Sequence, residues 1–397
     1  MPGTARENCH SMPNHPTSNP TDAARNSGMN FPVSAAPGRT GHTVLVLGGY
    51  GAVGGAIVRA LLLHSDCAIL VAGRSLERAR AFARPLGPRV EAVELEAGGS
   101  LVSAGLLPSV DVLVNCVEEA SARFAAQCLA AGVHYVDISA TASVLHNIHC
   151  LWGSAGEVRS SAILSVGVAP GLTNLLTRWA LDRLGPLRHA DISVVLGAGE
   201  VHGQAAIRWT LENLGRDFTV LTAAGRKVVR AFGESRIGQF GAPYGRRRTY
   251  RFDFSDQHTV PRTLAVDSAA TWLCFDSRLV TQAFACMARL GPTRLLRVAG
   301  LAKALAWAAD RFPLGSARFL VQVDATSHAD QHASYAVHGD GEAFSTALVA
   351  AYVTARLLAR SIPPGVHHIE EVIGLEELLK AYPQHLRLAT IEAQRAA

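Results

Sequence analysis

The feature that most constrains the fold is an apolar run that leads into closely spaced glycines. Residues 44–47 are Val-Leu-Val-Leu, and the next seven are Gly48, Gly49, Tyr50, Gly51, Ala52, Val53 and Gly54. The short apolar run predicts a parallel strand, since such a strand is buried on both faces. After Gly51 the apolar residues recur three and four apart, which predicts a helix. Strand, glycine turn and helix in this order are the setting of a dinucleotide-binding motif.

The glycine spacing predicts a role for each position of the turn. Gly49, Gly51 and Gly54 fit G-x-G-x-x-G, while Gly48, Gly51 and Gly54 fit the overlapping pattern G-x-x-G-x-x-G. In such a motif the first glycine permits the tight turn, the second lets the backbone approach a pyrophosphate, and the third lets helix and strand pack closely. Free amides at the start of the helix then face the phosphates. We therefore predict that residues 48–54 bind a dinucleotide cofactor.

The end of the next apolar run bears on which dinucleotide is bound. Residues 67–72 are apolar and lead into Gly73, Arg74 and Ser75, with no carboxylate at this point. A free ribose 2′-hydroxyl is usually met by Asp or Glu about 20 residues past the glycines, whereas a 2′-phosphate is met by Arg. Arg74 and the Ser75 hydroxyl therefore favour NADP, with NAD as the alternative. On the alternative view Arg74 is a surface residue and Ser75 only caps a helix.

Composition narrows the classes of partner. The net charge is +5, but Lys occurs only at 227, 303 and 380, so the positive charge is almost entirely Arg. The densest basic run, residues 246–248, lies in a predicted loop with few aromatic residues, which favours a solvated turn over nucleic-acid contact. The longest uncharged run is interrupted by Pro170 and Gly171, so no membrane span is expected.

Cysteine usage bears on the compartment and on metal binding. Seven cysteines are scattered without C-x-x-C spacing, and the N-terminus has no apolar stretch of the signal-peptide kind. These features predict a cytoplasmic protein in a reducing setting. His146 and His149, with Cys150 beside them, could share a helix face, and His367 and His368 are adjacent. No carboxylate partner is evident near the first pair, and the second pair stands before a predicted helix, where solvated side chains are expected, so we expect no metal site.

Four parts follow from the pattern along the chain. Residues 1–41 are polar and aperiodic, which predicts a disordered tail. Residues 42–168 alternate six apolar strands with five helical patterns, which predicts an α/β Rossmann domain with a doubly wound parallel sheet. Period-two runs in residues 169–340 predict an α+β domain with a largely antiparallel sheet for substrate binding and dimerisation. Residues 341–397 predict helices that pack back on the first domain.

Several polar residues follow strands of the predicted parallel sheet. Ligands of such sheets bind outside the carboxyl ends of the strands, at the point where the strand order reverses. We expect the residues after the fourth strand to lie near the nicotinamide ribose and those after the fifth and sixth to border the substrate. The first group is Asn115, Cys116 and Val117, and the second is Asp137, Ser139, Pro170, Gly171 and Asn174. The alternative for Asn115 is that it only holds its own turn.

An ordered set of motifs resembles one family, the saccharopine dehydrogenase-like reductases. The motifs are GGYGAVG at 48–54, AGRS at 72–75, GVHYVDIS at 132–139, GVAPGLTN at 167–174 and GVHHIEE at 365–371. The glycine motif alone is shared with many Rossmann proteins, so the ordered set carries the resemblance. It implies a two-domain NAD(P)-dependent oxidoreductase that forms a homodimer through its second domain. Members of this family reduce imines or oxidise the corresponding secondary amines.

One departure concerns the substrate. Family enzymes that act on saccharopine or carboxynorspermidine carry an acidic residue just before Pro-Gly, whereas this chain has Ala169. A carboxylate there could hold a substrate ammonium, and an alanine cannot. The cofactor therefore carries over from the resemblance but the amino-acid substrate does not. Two alternatives stay open, a non-catalytic NADP-sensing protein and an enoyl or lipid-directed reductase, the second favoured if an apolar helix at 294–311 borders the substrate.

Candidates for proton transfer lie in the second domain. Reduction of an imine needs a proton donor, and a His with a pKa near neutrality suits that task. His202, Asp256 and His258 stand at predicted element ends and are the catalytic candidates. Arg208, two helical turns beyond His202, could pair with a substrate carboxylate. The alternative for each is a structural role, as a residue beside a helix cap or in a loop.

Overall fold

The computed structural model describes residues 41–118, 121–151, 159–200, 204–222, 225–290 and 315–391. The predictions of a disordered tail at 1–41 and of a helix at 294–311 fall on residues outside these ranges, apart from residue 41, and so does the candidate His202. Residues 42–397 form one compact unit.

The first sheet is parallel throughout and confirms the predicted doubly wound α/β architecture. Its strand order is β15-β6-β5-β4-β1-β2-β3. The strands are β1 (Thr43–Leu47), β2 (Ala68–Gly73), β3 (Val90–Glu94), β4 (Val112–Asn115), β5 (His134–Asp137), β6 (Ser161–Leu164) and β15 (Gly365–His368). After β3 the chain crosses back past β1 to form β4, so the strand order reverses between β1 and β4. This reversal opens a crevice at the carboxyl ends of the strands.

Helices cover both faces of this sheet. They are α1 (Ala52–His64), α2 (Leu76–Ala83), α3 (Ser121–Ala131), α4 (Ala142–Leu151) and α9 (Glu342–Leu358). Alternate residues of β1 face opposite cores: Val44 and Val46 belong to the core that includes α1, and Leu45 and Leu47 to the core that includes α3. All five β1 residues are buried, which is why an uninterrupted apolar run forms this strand.

Two details of the first sheet differ from the prediction. The sequence predicted six strands, and the seventh, β15, is supplied by the C-terminal part of the chain, where it pairs with β6. A helix predicted near 100–106 is absent, and residues 101–105 form turns instead. Gly98 and Gly99 precede this segment and Gly105 has φ +64, so glycine favours turns over a helix here.

The second sheet is mixed, with antiparallel neighbours except for one parallel pair, β12 and β7. Its order is β10-β11-β12-β7-β13-β14-β16. Its strands are β7 (Leu187–Leu196), β10 (Ser235–Phe240), β11 (Gly245–Arg251), β12 (Ala269–Phe275), β13 (Arg318–Ser327), β14 (His332–Asp340) and β16 (Leu386–Ile391), and β8 (Asp217–Thr222) and β9 (Gly225–Arg230) form a separate hairpin. The prediction missed β10 and β16, which are the two edge strands of this sheet.

Six further helices complete the described chain. They are α5 (Thr173–Leu184), α6 (Gln204–Asn213), α7 (Asp256–Thr263), α8 (Arg278–Leu290), α10 (Ile369–Val372) and α11 (Leu375–Ala381). Helix α5 follows β6 and packs on β7, β13 and β14, while α7 contacts both β12 and α4. In the described part of the chain, no helix is long and apolar enough to cross a membrane.

Candidate functional site

Backbone hydrogen bonds fix the conformation of the glycine turn after β1. Gly48 adopts φ +78, and the amides of Gly48 and Gly49 donate to the Ala72 carbonyl at 2.8 and 3.2 Å. The Gly51 amide donates to the Gly48 carbonyl at 2.8 Å. A Cβ at Gly54 would overlap that same carbonyl, so glycine is required for α1 to approach β1.

The outer side of this turn can hold a pyrophosphate. Gly51 is the N-cap of α1 and is exposed, and a Cβ built on it would meet only the Gly48 oxygen, at 3.1 Å. The amides of the first helical turn have no partner inside the helix, and the positive end of the helix dipole lies behind them. Ala52 is exposed and Tyr50 and Val53 are partly exposed, and their contact with a cofactor stays a prediction. The turn therefore fits the anionic group of a dinucleotide.

Tyr50 joins the glycine turn to the end of β2. Its hydroxyl accepts the Ser75 amide at 3.2 Å, and its ring fills the space that a side chain at Gly73 would occupy. Ser75 caps α2, since its hydroxyl accepts the Arg78 amide at 3.3 Å. The Arg78 guanidinium lies 4.9 Å from the centre of the Tyr50 ring. The strand end, the turn and the first turn of α2 therefore form one surface.

Two exposed guanidiniums stand on this surface. Arg74 makes no hydrogen bond or ion pair with the residues that the structure describes, and Arg78 contacts only the Tyr50 ring through its side chain. Arginine presents a planar set of donors that matches phosphate oxygens. Sequence reasoning missed Arg78, although its place in the first turn of α2 was a usable signal. Arg74 and Arg78 therefore present donors that suit a 2′-phosphate, and the predicted roles of Arg74 and Ser75 toward that phosphate stay a prediction.

Asn115 lies at the carboxyl end of β4, fully buried. Its amide nitrogen donates to Ser121 Oγ at 2.8 Å and to the Tyr135 hydroxyl at 2.9 Å. Its side-chain oxygen accepts the Val117 amide at 3.1 Å, and its nitrogen donates to the Val117 carbonyl. These contacts are those of a residue that holds its own turn, which was the alternative for Asn115. A role toward the nicotinamide ribose stays a prediction.

Asp137 and Ser139 complete the same buried network after β5. The Tyr135 hydroxyl donates to Asp137 Oδ2 at 2.5 Å, and the Ser139 amide donates to Asp137 Oδ1 at 2.7 Å. Ser121 Oγ and Ser139 Oγ lie 3.1 Å apart. Since the polar atoms of Asp137 are already occupied by donors of the chain itself, the network mainly shapes the loops after β4 and β5.

Cys116 and Val117 approach the glycine turn. The Cys116 amide donates to the Leu47 carbonyl at 3.0 Å. A Cβ at Gly48 would lie 3.2 Å from Val117 Cγ2 and 3.4 Å from Cys116 Cβ. The pKa of the Cys116 thiol is raised, mainly by burial and secondly by the negative charge of Asp137. The thiolate is therefore disfavoured. The structure thus brings Cys116 and Val117 to the glycine turn, at the crevice between β1 and β4.

The crossing from β6 to α5 is fastened by Asn174. Asn174 Oδ1 accepts the Gly171 amide at 3.1 Å, and its nitrogen donates to Thr259 Oγ1 at 3.1 Å and to Glu370 Oε1 at 3.0 Å. Gly171 has φ +134, a conformation that favours glycine. Pro170, Gly171 and Asn174 are buried, whereas Ala169 is partly exposed. A substrate role for the three buried residues stays a prediction.

Asp256 and His258 lie on α7, close to this crossing. Asp256 is fully buried, and its Oδ1 accepts the Thr271 hydroxyl at 2.5 Å and the Gln257 amide at 2.7 Å. Burial raises the pKa of Asp256, although hydrogen bonds, including one from Thr173, oppose the shift. His258 Nε2 lies 2.6 Å from Asp253 Oδ1. Asp256 therefore favours its protonated form more than an exposed Asp does.

Arg208 lies apart from this group. Its side chain is 73% exposed and pairs with Glu212 at 3.5 Å along α6. An exposed pair of this kind is a common helix-surface feature. No contact described for Arg208 reaches the carboxyl edge of the first sheet. Within the described ranges, no group of three His, Cys, Asp or Glu residues could hold a metal ion.

Sequence reasoning also missed a buried Ser–His pair. Ser165, directly after β6, and His368, at the end of the neighbouring β15, are joined by a 2.8 Å hydrogen bond between Oγ and Nδ1. Ser165 has φ +58, which is uncommon for a residue with a side chain. The pKa of His368 is lowered to about 4, mainly by burial and secondly by the positive charge of nearby His149. The motif at 365–371 was visible, but nothing local pointed to Ser165.

The comparisons with known proteins agree with this geometry. Residues 44–157 match the family model for the saccharopine dehydrogenase NADP binding domain. Among solved structures the chain is similar to an apo histidine-tagged saccharopine dehydrogenase (L-Glu forming) from Saccharomyces cerevisiae. The identity is 14%, 88% of this chain and 100% of that chain are covered, and the TM-score is 0.59. At this identity the likeness concerns the fold. A search of curated proteins found no match.

Two further structures are similar at lower scores. One is a meso-dapdh mutant with DAP from Clostridium tetani, with 13% identity, 85% of this chain and 98% of that chain covered and a TM-score of 0.40. The other is a dehydrogenase from Chromobacterium violaceum, with 12% identity, 75% of each chain covered and a TM-score of 0.35. These scores add nothing to the assignment.

The family match and the pair of Arg74 and Arg78 agree on the cofactor. Because the matched model is an NADP-binding domain, the predicted preference for NADP is confirmed. The match spans the glycine turn, the phosphate-binding surface and the Asn115 network. Residues 44–157 therefore match an NADP-binding domain of the saccharopine dehydrogenase type, which supports an oxidoreductase whose cofactor is NADP.

Proposed function

We propose that the chain transfers hydride between NADP(H) and a C=N bond, with an imine on one side of the reaction and a secondary amine on the other. The observation that carries this proposal is the continuity of the fold. An NADP-binding domain of the saccharopine dehydrogenase type leads into a second sheet. The fold of the two parts together is similar to that of the yeast enzyme over 100% of that enzyme's chain. The proposed substrate group comes from the name of that enzyme and from the motif resemblance.

The residues of the chain bind the cofactor and orient it toward the substrate. When bound, NADPH supplies a hydride from its nicotinamide ring, and the imine nitrogen takes up a proton to give the amine. The first amides of α1 would hold the pyrophosphate, and Arg74 and Arg78 would hold the 2′-phosphate. Cys116 and Val117, at the crevice between β1 and β4, would border the rest of the cofactor.

The proton is proposed to come from the side of the second sheet. Asp256 is the first described candidate, since burial raises its pKa and it contacts Thr173 at the start of α5. His258 is the second, paired with Asp253, and His202 stays a candidate outside the described residues. Replacing a general acid lowers turnover by about 10²–10⁴-fold. Asp256→Asn, His258→Asn and His202→Asn should be compared at saturating NADPH, and a proton donor is identified by a loss of this size with unchanged cofactor affinity.

Substrate charge distinguishes this chain from enzymes that act on amino acids. Ala169 stands where a carboxylate could hold an ammonium group, and Arg208 is already paired on the helix surface. Neither Ala169 nor Arg208 therefore supports an ion pair with a charged group of an amino-acid substrate. We therefore infer that the substrate lacks the charged groups of saccharopine at these two positions.

A steady-state assay with NADPH tests the proposal. The full chain is mixed with a panel of imines and a matched panel of enones, and Gly51→Val serves as the variant without a cofactor site. Oxidation of NADPH with imines supports the proposal. Turnover of enones alone supports the enoyl or lipid-directed alternative. Binding of NADPH without turnover of either panel supports an NADP-sensing protein.

We also propose a homodimer that forms through the second sheet. The sheet carries a group of charged and aromatic residues in which Arg236 pairs with Asp191 and with Asp324 at 2.5 and 2.8 Å and lies 5.2 Å from the Trp272 ring. Light scattering coupled to size exclusion should report about twice the 42.0 kDa mass of the chain. A monomer at micromolar concentration would contradict this. The cytoplasmic setting stays a prediction.

A further inference from the structure

Trp209 connects the two sheets at the carboxyl edge of the first. It lies on α6, and its indole Nε1 donates to Thr141 Oγ1 at 2.9 Å. Thr141 belongs to the loop between β5 and α4, 68 residues earlier in the chain. The bond therefore joins a helix of the second part of the molecule to a loop of the first sheet.

Thr141 is itself linked to the neighbouring loop. Its amide donates to Glu118 Oε1 at 3.0 Å, and Glu118 follows β4. The loops after β4 and β5 lie beside the crevice between β1 and β4, where a dinucleotide binds in folds of this type. The contact made by Trp209 thus ends close to the expected position of the nicotinamide.

The indole ring is supported from the second sheet. Its centre lies 5.6 Å from the ring centre of Phe252 and 5.5 Å from that of Phe254, and these two rings are 5.2 Å apart. Both phenylalanines are buried. Aromatic pairs at such distances fix ring orientation as well as burying area. Trp209 therefore has an anchored ring and a polar tip that reaches the opposite loop.

We propose that Trp209 is a positioning residue that fastens α6 over the nicotinamide end of the cofactor site. The hydrogen bond to Thr141 holds the cleft closed, and the cofactor leaves when that bond opens. Closure of this kind excludes water from the reacting groups, and lid opening often sets the rate of product release. The position of the nicotinamide rests on the proposed function. The hydrogen bond between Trp209 and Thr141, which we call the latch, can be tested without any substrate.

The test measures NADPH release from the full chain by stopped-flow fluorescence after mixing with excess NADP⁺. Trp209→Phe keeps an aromatic ring and removes the N–H donor, and Thr141→Val removes the acceptor. Loss of one hydrogen bond should speed release by about two- to tenfold in each variant. The double variant should release no faster than either single variant, because both remove the same bond. Thr141→Ser restores the hydroxyl and should restore the wild-type rate.

A matched control uses another tryptophan. Trp179 lies on α5, and its indole N–H has no hydrogen-bond partner among the described residues. Trp179→Phe therefore removes an N–H without breaking a bond, and its release rate should equal that of the wild type. The proposal is overturned if this control speeds release as much as Trp209→Phe, if the single effects multiply in the double variant, or if Thr141→Ser behaves like Thr141→Val.

A second measurement needs no cofactor. Hydrogen exchange of α6 in the free protein should be faster in Trp209→Phe and Thr141→Val than in the wild type and in Trp179→Phe. Unchanged exchange in both variants also overturns the latch. If the wild type fails to bind NADPH, the cofactor part of the proposed function fails, whereas exchange of α6 still decides on the latch.

Discussion

Tyr50 is the residue that brings the two halves of the cofactor site together. Its hydroxyl accepts the Ser75 amide, and its ring lies under the Arg78 guanidinium. A tyrosine inside a glycine turn is not required by the motif, which leaves that position open. Here the side chain links the glycine turn to the surface that carries Arg74 and Arg78.

Arg74 and Arg78 are predicted to select NADPH over NADH. Loss of a charge-assisted hydrogen bond costs roughly 1.5–3 kcal/mol, or about one to two decades in affinity. Arg74→Ala and Arg78→Ala should each weaken NADPH binding by about this amount and leave NADH binding nearly unchanged, as measured by calorimetry. Arg59→Ala is the control, since Arg59 also lies against an aromatic ring, that of Phe82, at 5.0 Å. Equal losses for both cofactors would refute phosphate recognition.

His368 predicts an acid-sensitive contribution to stability. Burial lowers the pKa of His368 from 6.5 to about 4. Between these values the unfolded chain binds a proton that the folded chain does not, so stability falls as the pH falls through this window. The shift corresponds to roughly 3 kcal/mol, fully present above pH 6.5 and lost near pH 4. In urea unfolding at pH 7 and pH 4.5, His368→Gln should make the free energy of unfolding less dependent on pH, and a pH dependence equal to that of the wild type would contradict this assignment.

At the scale of elements, the geometry of the glycine turn and α1 follows from the spacing of glycines that are close in sequence. Gly54 lets the helix approach β1, and Gly51 leaves space for a ligand. Both roles follow from residues only a few positions apart, which is why the motif predicted them. The missed strands β15 and β16 have the opposite cause. Each forms because a partner strand from another part of the chain, β6 or β14, is available.

Two glycine substitutions should separate binding from stability. In Gly51→Val the new Cβ meets only the Gly48 oxygen, at 3.1 Å, and the side chain would occupy the expected pyrophosphate position, so NADPH binding should be abolished with little change in Tm. In Gly54→Ala the new Cβ overlaps the Gly48 backbone, so we expect a loss of about 1–3 kcal/mol in the free energy of unfolding. Calorimetric titration and denaturant unfolding measure the two effects. Unchanged NADPH affinity in Gly51→Val would show that the site is wrong.

At the scale of the whole molecule, a buried junction joins three distant segments. Glu370 Oε1 accepts Asn174 Nδ2 at 3.0 Å and the Thr263 hydroxyl at 2.7 Å. Asn174 in turn holds the Gly171 amide of the crossing between the sheets. The C-terminal part of the chain, α7 and the crossing therefore meet at one carboxyl group, which is 2% exposed.

This junction predicts a pH effect opposite in sign to that of His368. Burial raises the pKa of Glu370 above 4.5, so the folded chain keeps a proton that the unfolded chain loses. Its contribution is therefore greatest below pH 4.5 and falls as the pH rises toward the folded pKa. Glu370→Gln keeps the acceptor oxygen and removes the charge, so its Tm relative to the wild type should rise between pH 5 and pH 8. A Tm difference between Glu370→Gln and the wild type that falls over this pH range would contradict the assignment.

The sequence by itself determined the parallel sheet, the glycine turn and the preference for NADP. Each of these depends on residues that are close in sequence, where the period of apolar residues and the conformational freedom of glycine act directly. The positions of Arg74 and Ser75 follow in the same way from the end of β2. These parts of the site could therefore be predicted before any fold was known.

Tertiary structure alone decided which polar groups meet at the edge of the cleft. Ser165 and His368 are 203 residues apart, Asn174 and Glu370 are 196 apart, and Thr141 and Trp209 are 68 apart. Nothing in the local pattern around these residues specifies the partner, because the partner is chosen by strand order and by the packing of helices from different parts of the chain. The same packing buries Asp256, the catalytic candidate, and leaves Arg208, the substrate candidate, in solvent.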